Sequence, residues 1–146
     1  MRKLTIQDVA GEENFIHFDP VHGQRIFAVQ RLLAAIRAEQ VPPVMVAVDP
    51  EFAQWMRANN RGIEQHRLDR LTHAIVDAAD PILLLVQEDG QMLLVDGSHR
   101  FVWLAEQGVP EARAWIMPPD VWQQFVVDGE LAGLTEEALQ RLPSGL

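Results

Sequence analysis

The segment Asp96-Gly97-Ser98-His99-Arg100 combines residue types that bind anions. It follows the apolar run MLLV and opens the helical pattern FVWLAEQG, so the turn joins a buried strand to the start of a helix. The amino end of a helix presents N–H groups without helical partners, and a glycine lets a ligand approach the backbone closely. His99 and Arg100 add basic side chains where the helix macrodipole is already positive, which is unfavourable unless an anion is bound. The pattern therefore predicts a phosphate site.

The same turn also has a purely structural interpretation. Ser98 would then act only as the N-cap of the helix, and the basic side chains would turn to solvent or pair with Asp96. A carboxylate that follows a buried strand can accept hydrogen bonds from its own turn or hold Arg100. We therefore favour a structural role for Asp96 over general-base catalysis.

Two arginines lie on the helix that we predict before the turn, over residues 64–79. The apolar residues of this segment recur at helical spacing and define a buried face: Leu68, Leu71, Ile75 and Ala78. Arg67 and Arg70 border that face, whereas His66 and His73 fall on the solvent side.

These two arginines make up much of the positive charge near the turn. With Arg61 and Arg100 they are all the Lys and Arg residues between positions 61 and 109. Because basic residues are scarce in this part of the chain, their concentration indicates a focused anion-binding pocket. The alternative is that both arginines pair with acidic residues on a solvated face, namely Glu64, Asp69 or Asp77.

Composition narrows the classes of function. With 146 residues and 48% hydrophobic residues, the chain can bury a core of its own. The net charge is −9, and the chain from Arg61 onward contains six arginines and fourteen acidic residues. Broad DNA binding requires many Lys and Arg residues, so this charge argues against duplex DNA as the main partner. The absence of cysteine excludes disulfides, thiolate catalysis and zinc–thiolate sites.

Two features of the sequence bear on the cellular compartment of the protein. No apolar run approaches the eighteen or so residues of a membrane span, and the start MRKLTIQDVA lacks the apolar core of a signal peptide. We expect a cytoplasmic protein with no membrane partner.

Hydrophobic spacing and turn residues predict the remaining elements. The predicted strands are FIHF, VMVAV, ILLLV, MLLV and ARAWIM, and the turn Glu88–Gln91 joins ILLLV and MLLV into a hairpin. The predicted helices cover residues 24–40, 50–58, 98–107 and 121–127, with a last short helix capped by Thr135.

The order helix, PILLLV, turn, MLLVDGSHRFVWLAEQG, VPEARAWIM resembles the ParB/sulfiredoxin superfamily over about residues 64–130. The resemblance implies an α+β fold with a small mixed sheet packed against helices. With the flanking segments, which the resemblance does not cover, we predict three parts of the chain: an N-terminal α/β extension (1–60), the ParB/sulfiredoxin-like domain (61–130) and a C-terminal short helix and tail (131–146).

In that superfamily the corresponding turn binds nucleotide phosphates: ATP in sulfiredoxins, CTP in ParB proteins, and ADP or ATP in free-serine kinases. The resemblance implies that Gly97, Ser98, His99 and Arg100 hold phosphate beside Asp96. The segment RLDRLTHAIVD is similar to the sulfiredoxin helix that supplies further phosphate and ribose contacts, which implicates Arg67 and Arg70. The implied cofactor is ATP, ADP or CTP, with or without Mg²⁺.

The chain departs from each member of the superfamily. Ser98 stands where sulfiredoxin requires a cysteine, which excludes sulfinic acid reduction. We expect no ParB clamp, because 146 residues of acidic character leave no room for the basic DNA-binding region and the dimerising tail of ParB proteins. The catalytic carboxylate of the serine kinases has three candidates by position alone: Glu64, Asp69 and Asp96.

Three functions remain open at this point. The first is binding of a nucleotide or another phosphorylated small molecule, with phosphotransfer or NTP hydrolysis left open. The second is a non-catalytic module with a degenerate pocket that binds a protein partner or another copy of the chain through apolar residues: Trp103, Trp115, Trp122 and Phe125. The third is a ParB-like nuclease.

Metal binding is a weaker hypothesis. The segment HFDPVH contains His17, Asp19 and His22, but the turn at Pro20 gives them no common face and no further strong ligand is adjacent. We therefore assign no metal ligands.

Overall fold

A computed structural model describes residues 4–59 and 62–127 of the chain. Within these ranges the chain forms seven α-helices and seven strands, which confirms the predicted α+β class. In chain order they are α1 (Ile6–Val9), β1 (Phe15–Asp19), β2 (Gly23–Phe27), α2 (Val29–Ala38), β3 (Val44–Ala47), α3 (Pro50–Ala58), α4 (Gln65–Asp69), α5 (His73–Ala78), β4 (Ile82–Val86), β5 (Met92–Asp96), α6 (Ser98–Glu106), β6 (Glu111–Met117), α7 (Pro119–Trp122) and β7 (Val126–Val127).

The described residues divide into two compact units, 4–41 with 118–127, and 42–117 without residues 60 and 61. This division differs from the predicted boundaries after residues 60 and 130. The reason is that β3 and α3 belong with the second unit, where β3 pairs with β6 and α3 packs against α6. Contacts between elements so distant in sequence leave no local signal.

The first unit is a three-stranded antiparallel sheet in the order β1-β2-β7, with α1 and α2. Its core includes Val9, Ile26 and Val127, all fully buried. The predicted helix over residues 24–40 is wrong in its first part, because residues 23–27 form β2 and the helix begins at Val29. Pairing of β2 with β1 outweighs the helical spacing of Ile26 and its neighbours.

The second unit has a four-stranded sheet in the order β3-β6-β4-β5. Strands β4 and β6 run parallel, whereas the other pairs are antiparallel. The β4–β5 hairpin confirms the predicted turn between ILLLV and MLLV. Helix α6 packs against α3, α4 and β4, and its residues Phe101, Val102 and Leu104 enter the core.

The predicted helix over residues 64–79 is two helices, α4 and α5. The Thr72 side chain accepts a hydrogen bond from the N–H of Ile75 and so caps a new helix. A threonine offers the backbone this alternative to a continuous helix. Because of this break, Leu68 on α4 and Ile75 on α5 no longer lie on one helix face. Leu68 is buried as predicted, whereas Ile75 is 51% exposed.

Two further predictions concern the end of the chain. The helix expected over residues 121–127 begins earlier, at Pro119, and gives way to a 3₁₀ turn (Gln123–Phe125) and β7. The short helix capped by Thr135 lies outside the described residues. Among the described helices, none combines the length and apolar character that crossing a membrane requires.

Candidate anion site at the amino end of helix α6

Gly97 joins β5 to α6 and allows the two elements to meet. Its φ of 96° and ψ of 21° lie in the left-handed region, which residues with a Cβ rarely adopt. A Cβ at this position would lie 2.6 Å from Cγ2 of Ile82, a buried residue of β4. The turn therefore requires glycine, and the predicted helix start at Ser98 is confirmed.

Backbone N–H groups form the anion-accepting part of the turn. The Gly97 carbonyl accepts the first helical hydrogen bond from Phe101, at 2.9 Å between N and O. Gly97, and not Ser98, is thus the N-cap, and it has no side chain that could cap the helix. In the part of the chain that the structure describes, the N–H groups of Ser98, His99 and Arg100 have no acceptor. They are available to a ligand at the positive end of the macrodipole.

His99 is neutral in this arrangement, unlike the cation expected from the sequence. Its Nε2 accepts a hydrogen bond from the N–H of Glu64, at 3.0 Å. Because a backbone N–H only donates, Nε2 carries no proton. Burial lowers the pKa of His99, and the nearby charge of Arg67 lowers it further. His99 therefore ties α4 to α6 and adds no positive charge to the turn.

We expect His99 to make the free energy of unfolding pH-dependent. In the unfolded state the His99 imidazole takes up a proton near its ordinary pKa of 6.5. In the folded state its pKa is lower, so it takes up the proton only at lower pH. The unfolded state then binds more protons, so the contribution is complete above pH 6.5 and is lost as the pH falls below it. Urea denaturation between pH 5 and 8 measures this slope. His99→Gln, which keeps an acceptor for Glu64, should flatten the slope, and an identical slope in this variant would contradict the assignment.

Arg100 already has acidic and carbonyl partners within the unit. Its Nη2 lies 3.1 Å from Oδ2 of Asp96, and its Nη1 donates to the backbone carbonyl of Asp80. The side chain is only 17% exposed, so this pair is partly shielded from solvent. Asp96 thus contacts Arg100, as the structural interpretation of the turn expects. Arg100 fixes the connection between α5 and β4 against the start of α6.

The two upstream arginines differ in position. Arg67 is exposed on α4 and its charge lowers the pKa of His99, whereas Arg70 is the C-cap of α4. Neither side chain forms an ion pair with any residue in 4–59 or 62–127, so the alternative pairing with neighbouring carboxylates is not formed there. The charge of Arg67 thus acts on His99, and no hydrogen bond or ion pair among the described residues joins Arg70 to the turn.

A cleft of about 310 Å³, which no sequence pattern indicates, lies beside α6 in the same unit. Ile82 and Arg100 contribute to its wall, but Gly97, Ser98 and His99 do not. Its other walls come from β3, α5 and β6. No local sequence signal links these elements, so their convergence could not be predicted.

The other candidate groups do not assemble a second site. Across the described ranges no three His, Cys, Asp or Glu side chains come close enough to hold a metal ion. Trp103, Trp115 and Trp122 are each at most 8% exposed, so these three side chains present little surface to the protein interface considered as an alternative. Trp55 is the exposed exception among the tryptophans, and it stacks on Phe52 with ring centroids 5.9 Å apart.

The resemblance to the ParB/sulfiredoxin superfamily rests on the order of elements and on the turn from Asp96 to Arg100. Comparison of the chain with protein-family models gives no match, and comparisons with curated proteins and with solved structures give none either.

Proposed function

We propose that the unit formed by residues 42–59 and 62–117 binds the phosphate groups of a nucleotide at the amino end of α6. The observation that supports this function is the run of three consecutive N–H groups without acceptors, at Ser98, His99 and Arg100. They open a nine-residue helix, long enough for a macrodipole to favour a bound anion. The Ser98 hydroxyl adds a donor beside them.

The side chains around the turn take different parts in this proposal. Gly97 keeps the backbone accessible, and Arg67 supplies the positive charge from α4, since it has no acidic partner of its own among the described residues. Arg100 fixes the turn by its bonds to Asp96 and to the Asp80 carbonyl. Its positive charge offsets the negative charge of Asp96, which would otherwise repel the phosphate. His99 positions α4 and thereby Arg67. Arg70 is not part of the proposed site.

The order of elements supports a fold of the ParB/sulfiredoxin type for this unit. Helix α5, the β4–β5 hairpin, α6 and β6 follow one another as that resemblance requires. On this basis the ligand is ATP, ADP or CTP, with or without Mg²⁺.

The carboxylates near the turn favour binding over catalysis. Glu64 lies 3.2 Å from His66, Asp69 accepts a hydrogen bond from Gln65, and Asp96 is held by Arg100. Asp69 and Asp96 thus have structural partners, and Glu64 lies beside His66. We therefore propose a nucleotide-binding unit and assign no catalytic residue.

Isothermal titration of the full chain with ATP, ADP, CTP and GTP, with and without Mg²⁺, tests this function. We expect Arg67→Ala to weaken the tightest of these nucleotides about fivefold to tenfold, because a charge-assisted contact to phosphate is lost. Arg70→Ala is the matched control, since it removes another exposed arginine of the same segment that forms no hydrogen bond or ion pair with the turn. We expect less than a twofold effect there. Equal effects of the two substitutions, or no heat with any nucleotide, would rule the site out.

A further inference from the structure

We propose that the cleft beside α6 binds a small organic cation, an amine or guanidinium carried on an apolar body. The cleft encloses about 310 Å³, at the lower end of the range for small-molecule sites. This inference does not rest on phosphate binding at the turn, since Ser98 and His99 are not part of the cleft wall.

The interior of the cleft suits an apolar group. Its lining includes the buried side chains of Ile82, Leu104 and Ala112, which also belong to the core of the unit. Pro81 and Val109 extend the apolar surface. A hydrocarbon or aromatic body placed here would exchange water for contacts with these side chains.

Two arginines hold one wall of the cleft in place. Nη2 of Arg113 donates to the carbonyls of Asp77 and Ala79, at 3.0 and 2.9 Å, and Arg100 donates to the carbonyl of Asp80. These bonds fix the chain at the carboxyl end of α5 against β6 and α6. The cleft is therefore formed before a ligand arrives, which lowers the entropic cost of binding.

The charges at the surface of the cleft select a cation. The exposed carboxylates of Asp77 and Glu111 have no ion pair with any described residue. Arg100 is paired with Asp96, and Nη2 of Arg113 donates to two backbone carbonyls, so these donors are already used within the unit. A cationic group near Asp77 and Glu111 instead compensates both carboxylates, while its apolar body enters the cleft.

The experiment compares three ligands with the same ring: 2-phenylethylamine, 2-phenylethanol and 3-phenylpropionate. Each is titrated into the full chain and followed by backbone amide chemical shifts. We expect the amine to shift residues 77–82 and 111–113, to bind about threefold or more tightly than the alcohol, and to weaken with added salt. Absence of binding by the amine, equal binding of the alcohol, tighter binding of the acid, or shifts confined to other parts of the chain would overturn the proposal.

Substitutions of single carboxylates then test which side chains interact with the cationic group. Asp77→Asn and Glu111→Gln should each weaken the amine about twofold to fivefold, as expected for exposed charge pairs, and should leave the alcohol unchanged. Glu51→Gln, which removes an exposed carboxylate on α3, should leave both ligands unchanged. Both cleft variants retain the backbone carbonyls that hold the wall, so they should remain folded. Unaltered binding of the amine in both variants would also overturn the proposal.

Discussion

Replacing Gly97 by alanine is expected to lower the free energy of unfolding by about 2–5 kcal/mol. The left-handed backbone at residue 97 costs a residue with a Cβ about 1–2 kcal/mol. The added Cβ would also lie 2.6 Å from Cγ2 of Ile82, a side chain packed in the core, and such overpacking costs a further 1–3 kcal/mol. Urea denaturation followed by tryptophan fluorescence measures the loss.

Gly90→Ala is the matched control for this substitution. Gly90 has a similar φ of 87°, but a Cβ there meets no atom within 4 Å. We expect only the backbone cost, about 1–2 kcal/mol. If the two substitutions proved equally destabilising, the close approach of Gly97 to Ile82 would not be what fixes the turn.

Trp122→Ala is expected to destabilise the unit of residues 4–41 and 118–127 by about 3–5 kcal/mol. The side chain is 1% exposed, and its ring centroid lies 5.4 Å from that of Phe27 in an edge-to-face arrangement. The guanidinium carbon of the fully buried Arg25 lies 5.3 Å from the ring centroids of both aromatic residues. The substitution removes a large buried surface together with a cation–π contact.

Trp55→Ala provides the comparison. Trp55 is 44% exposed, so we expect its truncation to cost less than half as much as that of Trp122. Denaturation of both variants, followed by far-ultraviolet circular dichroism, gives the two values. A larger loss for Trp55 would contradict the assignment of Trp122 to the core.

Local sequence signals account for several elements of the fold. Asp49 and Pro50 predict the start of α3, where the Asp49 side chain accepts a hydrogen bond from the N–H of Glu51. The apolar runs on either side of Glu88–Gln91 predict the β4–β5 hairpin. Each signal lies within a few residues of the structure that it specifies.

Other features are not determined by hydrophobic periodicity. Strand β2 is set by pairing with β1, and the break between α4 and α5 is set by the cap at Thr72, although both segments have helical spacing. The division into units is set in part by the pairing of β3 with β6. Local periodicity cannot show which of these competing structures is formed.

The turn itself was predictable in outline but not in its charges. The sequence indicates an exposed helix start after a glycine, and the structure has one at Gly97. It does not show that the Glu64 N–H keeps His99 neutral or that the Asp80 carbonyl and Asp96 hold Arg100. Phosphate binding at the turn would consequently depend on the backbone N–H groups and on Arg67, and less on the side chains of His99 and Arg100.

The most direct test of phosphate binding follows the backbone N–H resonances of the full chain during titration with ADP and with inorganic phosphate. We expect saturable shifts centred on Ser98, His99 and Arg100, which are reduced in Arg67→Ala and retained in Arg70→Ala. Resonances of these three N–H groups that stay unchanged at saturating ADP would contradict binding at the start of α6.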